Sequence, residues 1–189
     1  MNFSFKQWLL FNFLGWLSGT ILVLILSATF DSIGIEYLQF YVATGIGAGI
    51  GLGQWLFLRR YLTITSNWIT LTIIGLTIPF IIADVLKHFL LLDLKSFFIP
   101  TCAGFGSILV GLFQGKILEK YKIKLFNWVL ISFFSWTLIA AAVHSIEFTS
   151  LISKNVWFGF IANLLLLLSG GFILGIIPGN HLRNNLKIQ

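Results

Sequence analysis

Six apolar runs, each close to the length that crosses a lipid bilayer, leave this chain very few folds. They lie at about Trp8 to Phe30, Leu38 to Leu58, Trp68 to Leu86, Phe97 to Leu118, Phe126 to Ile146 and Val156 to Ile177. About 30 Å of hydrocarbon takes roughly 20 residues of α-helix. Inside it every backbone N–H and C=O must be satisfied within the protein, so runs of this kind are predicted to be helices. Composition agrees, with 58% hydrophobic residues, 10% charged residues and a mean hydropathy of +0.97; a soluble domain carries about 25% charged residues. The first run follows Lys6 as the core of a signal peptide would. It is too long for one, and Leu26 spoils a small-x-small site before Ala28, so it is read as a helix.

The stretch from Gly45 to Tyr61 organises the rest, because pieces of it return. Gly51, Leu52, Gln54, Leu58, Tyr61, Asn67 and Trp68 recur sixty residues later as Gly111, Leu112, Gln114, Leu118, Tyr121, Asn127 and Trp128, with Lys120 answering Arg60. Sixty residues earlier, Gln7, Trp8, Gly15 and Trp16 align with Asn67, Trp68, Gly75 and Leu76, and with Asn127, Trp128, Ser135 and Trp136. Gly175 to Arg183 echoes Gly111 to Glu119 at a spacing of sixty-four, with Pro178 in the place of Gln114. A period of this size marks one supersecondary unit repeated. The expected fold is an all-α integral membrane protein. Its six transmembrane helices form three αα-hairpin repeats, roughly 1–62, 63–123 and 124–189, in a single membrane domain. Each unit has two spans, so all three enter and leave on the same side, as parallel repeats about an axis along the membrane normal.

Charge sets the expected orientation. Lys6, Arg59, Arg60, Lys116, Lys120, Lys122, Lys124, Arg183 and Lys187, nine of the twelve basic residues, fall on the face that carries both termini. Lys87, Lys95 and Lys154 fall on the other, near Asp31, Asp93 and Glu147. The positive-inside rule then places both termini in the cytoplasm, in a bacterial inner membrane or an equivalent internal membrane. Trp8, Trp68 and Trp128, with Tyr61 and Tyr121, are expected to anchor one interface, and Tyr37, Tyr41 and Trp157 the other. Arg59, Arg60, Lys120, Lys122 and Lys124 are expected to meet anionic headgroups. The net charge of +6 is spread over helix ends rather than one face, so no nucleic-acid partner is expected. Cys102, the one cysteine, lies in an apolar run, where packing is its expected role.

Between helices in lipid there is little hydrophobic drive, and small residues at every fourth position let backbones approach instead. Gly45, Gly49 and Gly53 form one such row and Gly47 with Gly51 a second; Gly111 with Gly115, and Gly171, Gly175 and Gly179, supply others. These rows serve packing within the chain, contact with another subunit, or a glycine-lined pore. Gln54 and Gln114 lie one turn inside the basic residues that close their helices. They are read as hydrogen-bonding neighbouring helices, or as lining a site or ligating a pigment. Asp84, late in the third run, has His144 as its counterpart sixty residues on. An intramembrane ionisable group is a functional candidate by default. Asp84 either pairs with Lys87 one turn away or meets His144 to bind a cation or proton.

Signatures of soluble enzymes are missing. The glycine run lacks the third glycine of a dinucleotide fingerprint, and no phosphate-binding Lys-Ser or Lys-Thr closes it. There is no His-x-x-x-His or Cys-x-x-Cys, and no serine in a nucleophile elbow, so no metal and no catalytic residue is expected.

Residues 51 to 60, Gly-Leu-Gly-Gln-Trp-Leu-Phe-Leu-Arg-Arg, with Asn67 and Trp68, resemble the Gly-x-x-Gln-Trp-x-x-Leu-Arg-Arg signature of a group of multi-span bacterial membrane proteins, many of them cyanobacterial. The likeness covers about twenty residues. In the second copy Gly115 replaces the tryptophan and Glu119 interrupts the basic pair. The resemblance implies repeated hairpins and carries no activity with it. The expected function is a non-enzymatic accessory or scaffold subunit that packs through its glycine faces against other membrane proteins or further copies of itself. Besides the bilayer, a bound pigment or lipid is compatible with the twenty phenylalanines, and no cofactor is specified. The alternative is a small channel or carrier for an ion or solute, using Asp84 and His144; an intramembrane enzyme acting on lipid comes third.

Overall fold

The computed structural model describes residues 3–35, 38–91, 94–152 and 154–186; Tyr37, Asp93 and Lys187, used above, lie outside the described residues. The helices are α1 (Phe5–Ser32), α2 (Phe40–Leu58), α3 (Asn67–Leu90), α4 (Phe98–Leu118), α5 (Leu125–His144), the one-turn α6 (Thr149–Ile152) and α7 (Val156–Leu186), and no strand occurs among the described residues. All but α6 are long and apolar enough to cross a membrane.

The helix ends follow local chemistry. Pro100 sits in the first turn of α4, where its missing N–H has no intrahelical acceptor to leave empty. Leu91 ends α3 in the left-handed region, at φ 54°, and Lys122 turns the chain into α5 in the same way, at φ 58°. The last span differs from expectation: α7 does not stop at Ile177 but runs through Pro178 to Leu186, about 46 Å at 1.5 Å per residue. An internal proline removes a hydrogen bond from the turn before it. The acceptor so freed is the carbonyl of Leu174; the next carbonyl, of Gly175, accepts the indole N–H of Trp8 at 2.9 Å.

Each long helix packs against the one before and the one after it, and α7 returns to α1, so the six close into a ring; the seam between α5 and α7 is the thinnest. Two apolar cores fill it. One, at the end carrying Arg59, Arg60 and Lys120, gathers Trp8, Phe57, Leu58, Trp68, Leu118 and Trp128. The other, in the far half, gathers Trp16, Phe80, Phe98, Trp136 and Ile139.

The glycine rows make the ring tight. Gly45, Gly49 and Gly53 face α1, whereas Gly47 and Gly51, on the next face of α2, meet α3. Gly111 and Gly115 face α5, and Gly171, Gly175 and Gly179 face α1. A Cβ on Gly49 would overlap Gly15 O and the Gly19 backbone, and one on Gly111 would lie 2.8 Å from Val129 Cα. The two rows of α2 thus serve two neighbours, and all ten glycines are taken up within the chain.

Candidate functional site

At the basic end α1, α3 and α5 each carry a tryptophan in the first turn, Trp8, Trp68 and Trp128, and a small polar residue one turn later, Asn12, Thr72 and Ser132. All six side chains are buried, with Trp8 and Trp68 at 0% exposure and Trp128 at 1%. The even helices bring in Gln54 and Gln114. Asn12 Nδ2 donates to Trp8 O at 2.9 Å, which leaves its Oδ1 to accept from Gln54 Nε2 at 3.0 Å. Gln54 Oε1 accepts the indole N–H of Trp68 at 3.2 Å and Gln114 Nε2 at 3.3 Å. The same Gln114 nitrogen reaches Thr72 Oγ1 at 2.9 Å, and Gln114 Oε1 accepts from Trp128 Nε1 at 3.3 Å. Thr72 in turn donates to Trp68 O at 2.7 Å. The third indole, that of Trp8, turns to the Gly175 carbonyl, in the helix where Pro178 stands in place of a third glutamine. Rings close the arrangement, with Trp68 and Trp128 6.4 Å apart and Trp128 6.4 Å from His181. Every long helix contributes, so the end of the ring is both plugged and cross-linked.

The far half is built differently. A half-open cavity of about 160 Å³ lies in it, bordered by residues of all six long helices, among them Trp16, Ala43, Phe80, Ala103, Trp136 and Ala140. Two of the polar groups at its wall are already committed: Thr20 Oγ1 donates to Trp16 O at 3.0 Å and Trp16 Nε1 to Leu167 O at 2.8 Å; the indole of Trp136 also borders it.

Asp84 and His144, paired by the sequence register, do not meet: they share no hydrogen bond or ion pair. Asp84 Oδ2 accepts the backbone N–H groups of Gln39 and Phe40, both at 2.9 Å, and so caps the N-terminus of α2, where orphan amides and the helix dipole favour an acid. Its other oxygen, Oδ1, is buried without a partner, and Lys87 lies within electrostatic reach. His144 instead lies 3.7 Å from Glu147 and against the rings of Phe97 and Phe148. Each thus sits at the start of an even helix, one through its carboxylate and the other through its ring. Sequence spacing brings equivalent positions into equivalent places without bringing them together.

Other expectations fare variously. Gln54 and Gln114 do hydrogen-bond neighbouring helices, and each other. Arg59, Arg60, Lys120, Lys122 and Lys124 are exposed at one end. Two of them lie over aromatic rings, Arg59 4.5 Å from the centre of Trp55 and Arg60 4.7 Å from that of Phe11. Trp157, 76% exposed, suits an interfacial anchor. Trp8, Trp68 and Trp128 do not: they point inward, because each indole N–H has an acceptor in the ring. Asn12, Thr72 and Ser132 escaped notice. Their signal was available, a polar residue four positions after each repeated tryptophan, but in an apolar run one asparagine, one threonine and one serine do not look alike.

Among the described residues no three His, Cys, Asp or Glu side chains gather as metal ligands. Comparison with protein-family models, with curated proteins and with solved structures finds no match to this chain.

Proposed function

We propose that this chain is a multi-pass accessory or scaffold subunit of a bacterial inner membrane, or an equivalent internal membrane, that packs against other membrane proteins. The observation that carries this reading is the closed polar network. At the basic end, where a path for ions or solutes would need free polar groups, Gln54, Gln114, Trp68 and Trp128 are hydrogen-bonded to one another and Trp8 to the Gly175 carbonyl, and the cavity beyond them is apolar. A ring of this kind supports a rigid body rather than a conduit. Since the glycine rows are occupied by the chain's own helices, the partner-facing surface is the outward half of α7 with α6. There Leu151, Ile152, Val156 and Trp157 are between 76% and 81% exposed, and a Cβ on Gly159 would meet nothing within 4 Å.

The same reading takes the chain as three parallel hairpin repeats with both termini cytoplasmic. Its support is the recurrence of one hydrogen bond, Trp68 to Gln54 and Trp128 to Gln114, each across fourteen residues, together with the basic excess at one end. The likeness to the repeated-hairpin bacterial proteins belongs to the same proposal.

A second reading, a small carrier, draws on one observation, the partnerless Oδ1 of Asp84 beside a cleft that also contains His88. Two measurements on the tagged protein separate the readings. Purification from its native membrane in mild detergent is expected to bring down a stoichiometric membrane partner, and proteoliposomes are expected to show no solute flux. A protein that emerges alone and conducts, with flux lost in Asp84→Asn, would establish the carrier instead.

A further inference from the structure

We propose that the cavity in the far half of the ring is a binding site for one hydrocarbon chain of a membrane lipid. Its wall excludes other ligand classes. Burying an ion or a polar solute without hydrogen-bonding partners is costly, and a buried water needs two to four polar partners. Here the Thr20 hydroxyl and the Trp16 indole have already given their protons to carbonyls, and the remaining lining is aliphatic or aromatic, with the Trp136 indole N–H as its one further donor, too few for a polar guest. What the wall offers is dispersion contact, over about 160 Å³. An apolar void of about 150 Å³ in a protein core stays dry and takes up small apolar guests.

The bilayer decides which guest. The six long helices are apolar enough to lie in hydrocarbon, where acyl and isoprenoid chains are the solvent. The route in is the α5–α7 seam. It is the thinnest of the ring, and from α7 only Leu167 borders the cavity, against Trp136, Ile139, Ala140 and Val143 from α5. The chain would lie between Trp16 and Trp136, with its polar head outside the ring.

The test is native mass spectrometry of the full chain in mild detergent, followed by lipid extraction. The expected result is one retained lipid per chain, whose mass shows whether its hydrocarbon comes from a glycerolipid or an isoprenoid. Ala140→Phe, which fills the cavity, is expected to lower that occupancy at least fivefold while the thermal unfolding midpoint is kept. Ala140→Val and Ala103→Leu, gentler fillings, should lower it in proportion to the volume added and serve where the phenylalanine variant does not fold. A wild-type protein that retains no lipid, or a folded, filled variant that retains as much as the wild type, overturns the proposal.

Discussion

The two halves of the ring are made by the same six helices and hold different interiors. At the basic end, the glutamines, the indoles, Asn12 and Thr72 are hydrogen-bonded into a plug. In the far half the side chains around the axis are apolar and leave a void. In water the second arrangement would collapse, because closing an apolar gap removes surface from solvent. In a bilayer the solvent is itself hydrocarbon, so closing it gains little. What draws helices together there is hydrogen bonding and close backbone contact; in the far half these lie between neighbouring helices, such as Trp16 to Leu167 and Thr44 to Thr77, and no glutamine pair bridges the middle of the ring.

That contrast can be broken or sharpened by substitution. The largest effect is expected from Gly49→Leu, whose side chain would have to occupy the space of Gly15 O and the Gly19 backbone. Overpacking of this kind costs about 3 kcal/mol or more, and a monodisperse peak should be lost on size exclusion. Gly159→Leu, in the loosely packed part of α7, should leave the peak unchanged. Equal behaviour of the two would erase the distinction between tight and open regions.

Gln54→Ala comes next. It strands the Trp68 N–H, Asn12 and Gln114, and each buried group left without a partner costs about 1–3 kcal/mol. Titration with a denaturing detergent should show a lowered midpoint. The double variant with Gln114→Ala should cost less than the sum of the singles, since the two amides share a hydrogen bond; strict additivity would mean that the plug does not act as a unit. Smaller again is Asp84→Ala, which removes the cap of α2, worth about 1 kcal/mol. Asp84→Asn keeps an accepting oxygen and should be milder; if the two variants were equally destabilised, capping would not be the role of Asp84. Smallest is a change in fluorescence alone. Trp157→Phe should remove much of the emission that aqueous acrylamide quenches, and Trp68→Phe little of it, given exposures of 76% and 0%.

Much of the architecture was legible because the bilayer reduces the choices. Run length selected the helices, and four-residue glycine spacing gave the packing faces, even to the two rows of α2. Direction around an axis was not legible. Trp8, Trp68 and Trp128 lie at the helix ends where anchors belong, and nothing in a linear sequence says whether an indole at that depth faces lipid or a glutamine on the next helix. The end of α7 was not legible for a related reason: the apolar run stops at Ile177, but loss of apolarity marks the edge of hydrocarbon rather than the end of a helix, and α7 continues through Pro178 to Leu186. The matching of Asp84 with His144 failed because the two lie on different helices and meet different neighbours, Asp84 the amides of Gln39 and Phe40 and His144 the rings of Phe97 and Phe148.

The bond from Trp8 to Gly175 spans 167 residues and joins the first long helix to the last. During synthesis α1 enters the bilayer long before its acceptor exists, and an unpaired indole N–H is unwelcome in hydrocarbon. The growing protein is therefore an open crescent, with one raw edge on α1 and the other on whichever helix has most recently been inserted. Until α7 is inserted, the first edge has no partner within the chain, and the ring closes only with the last span.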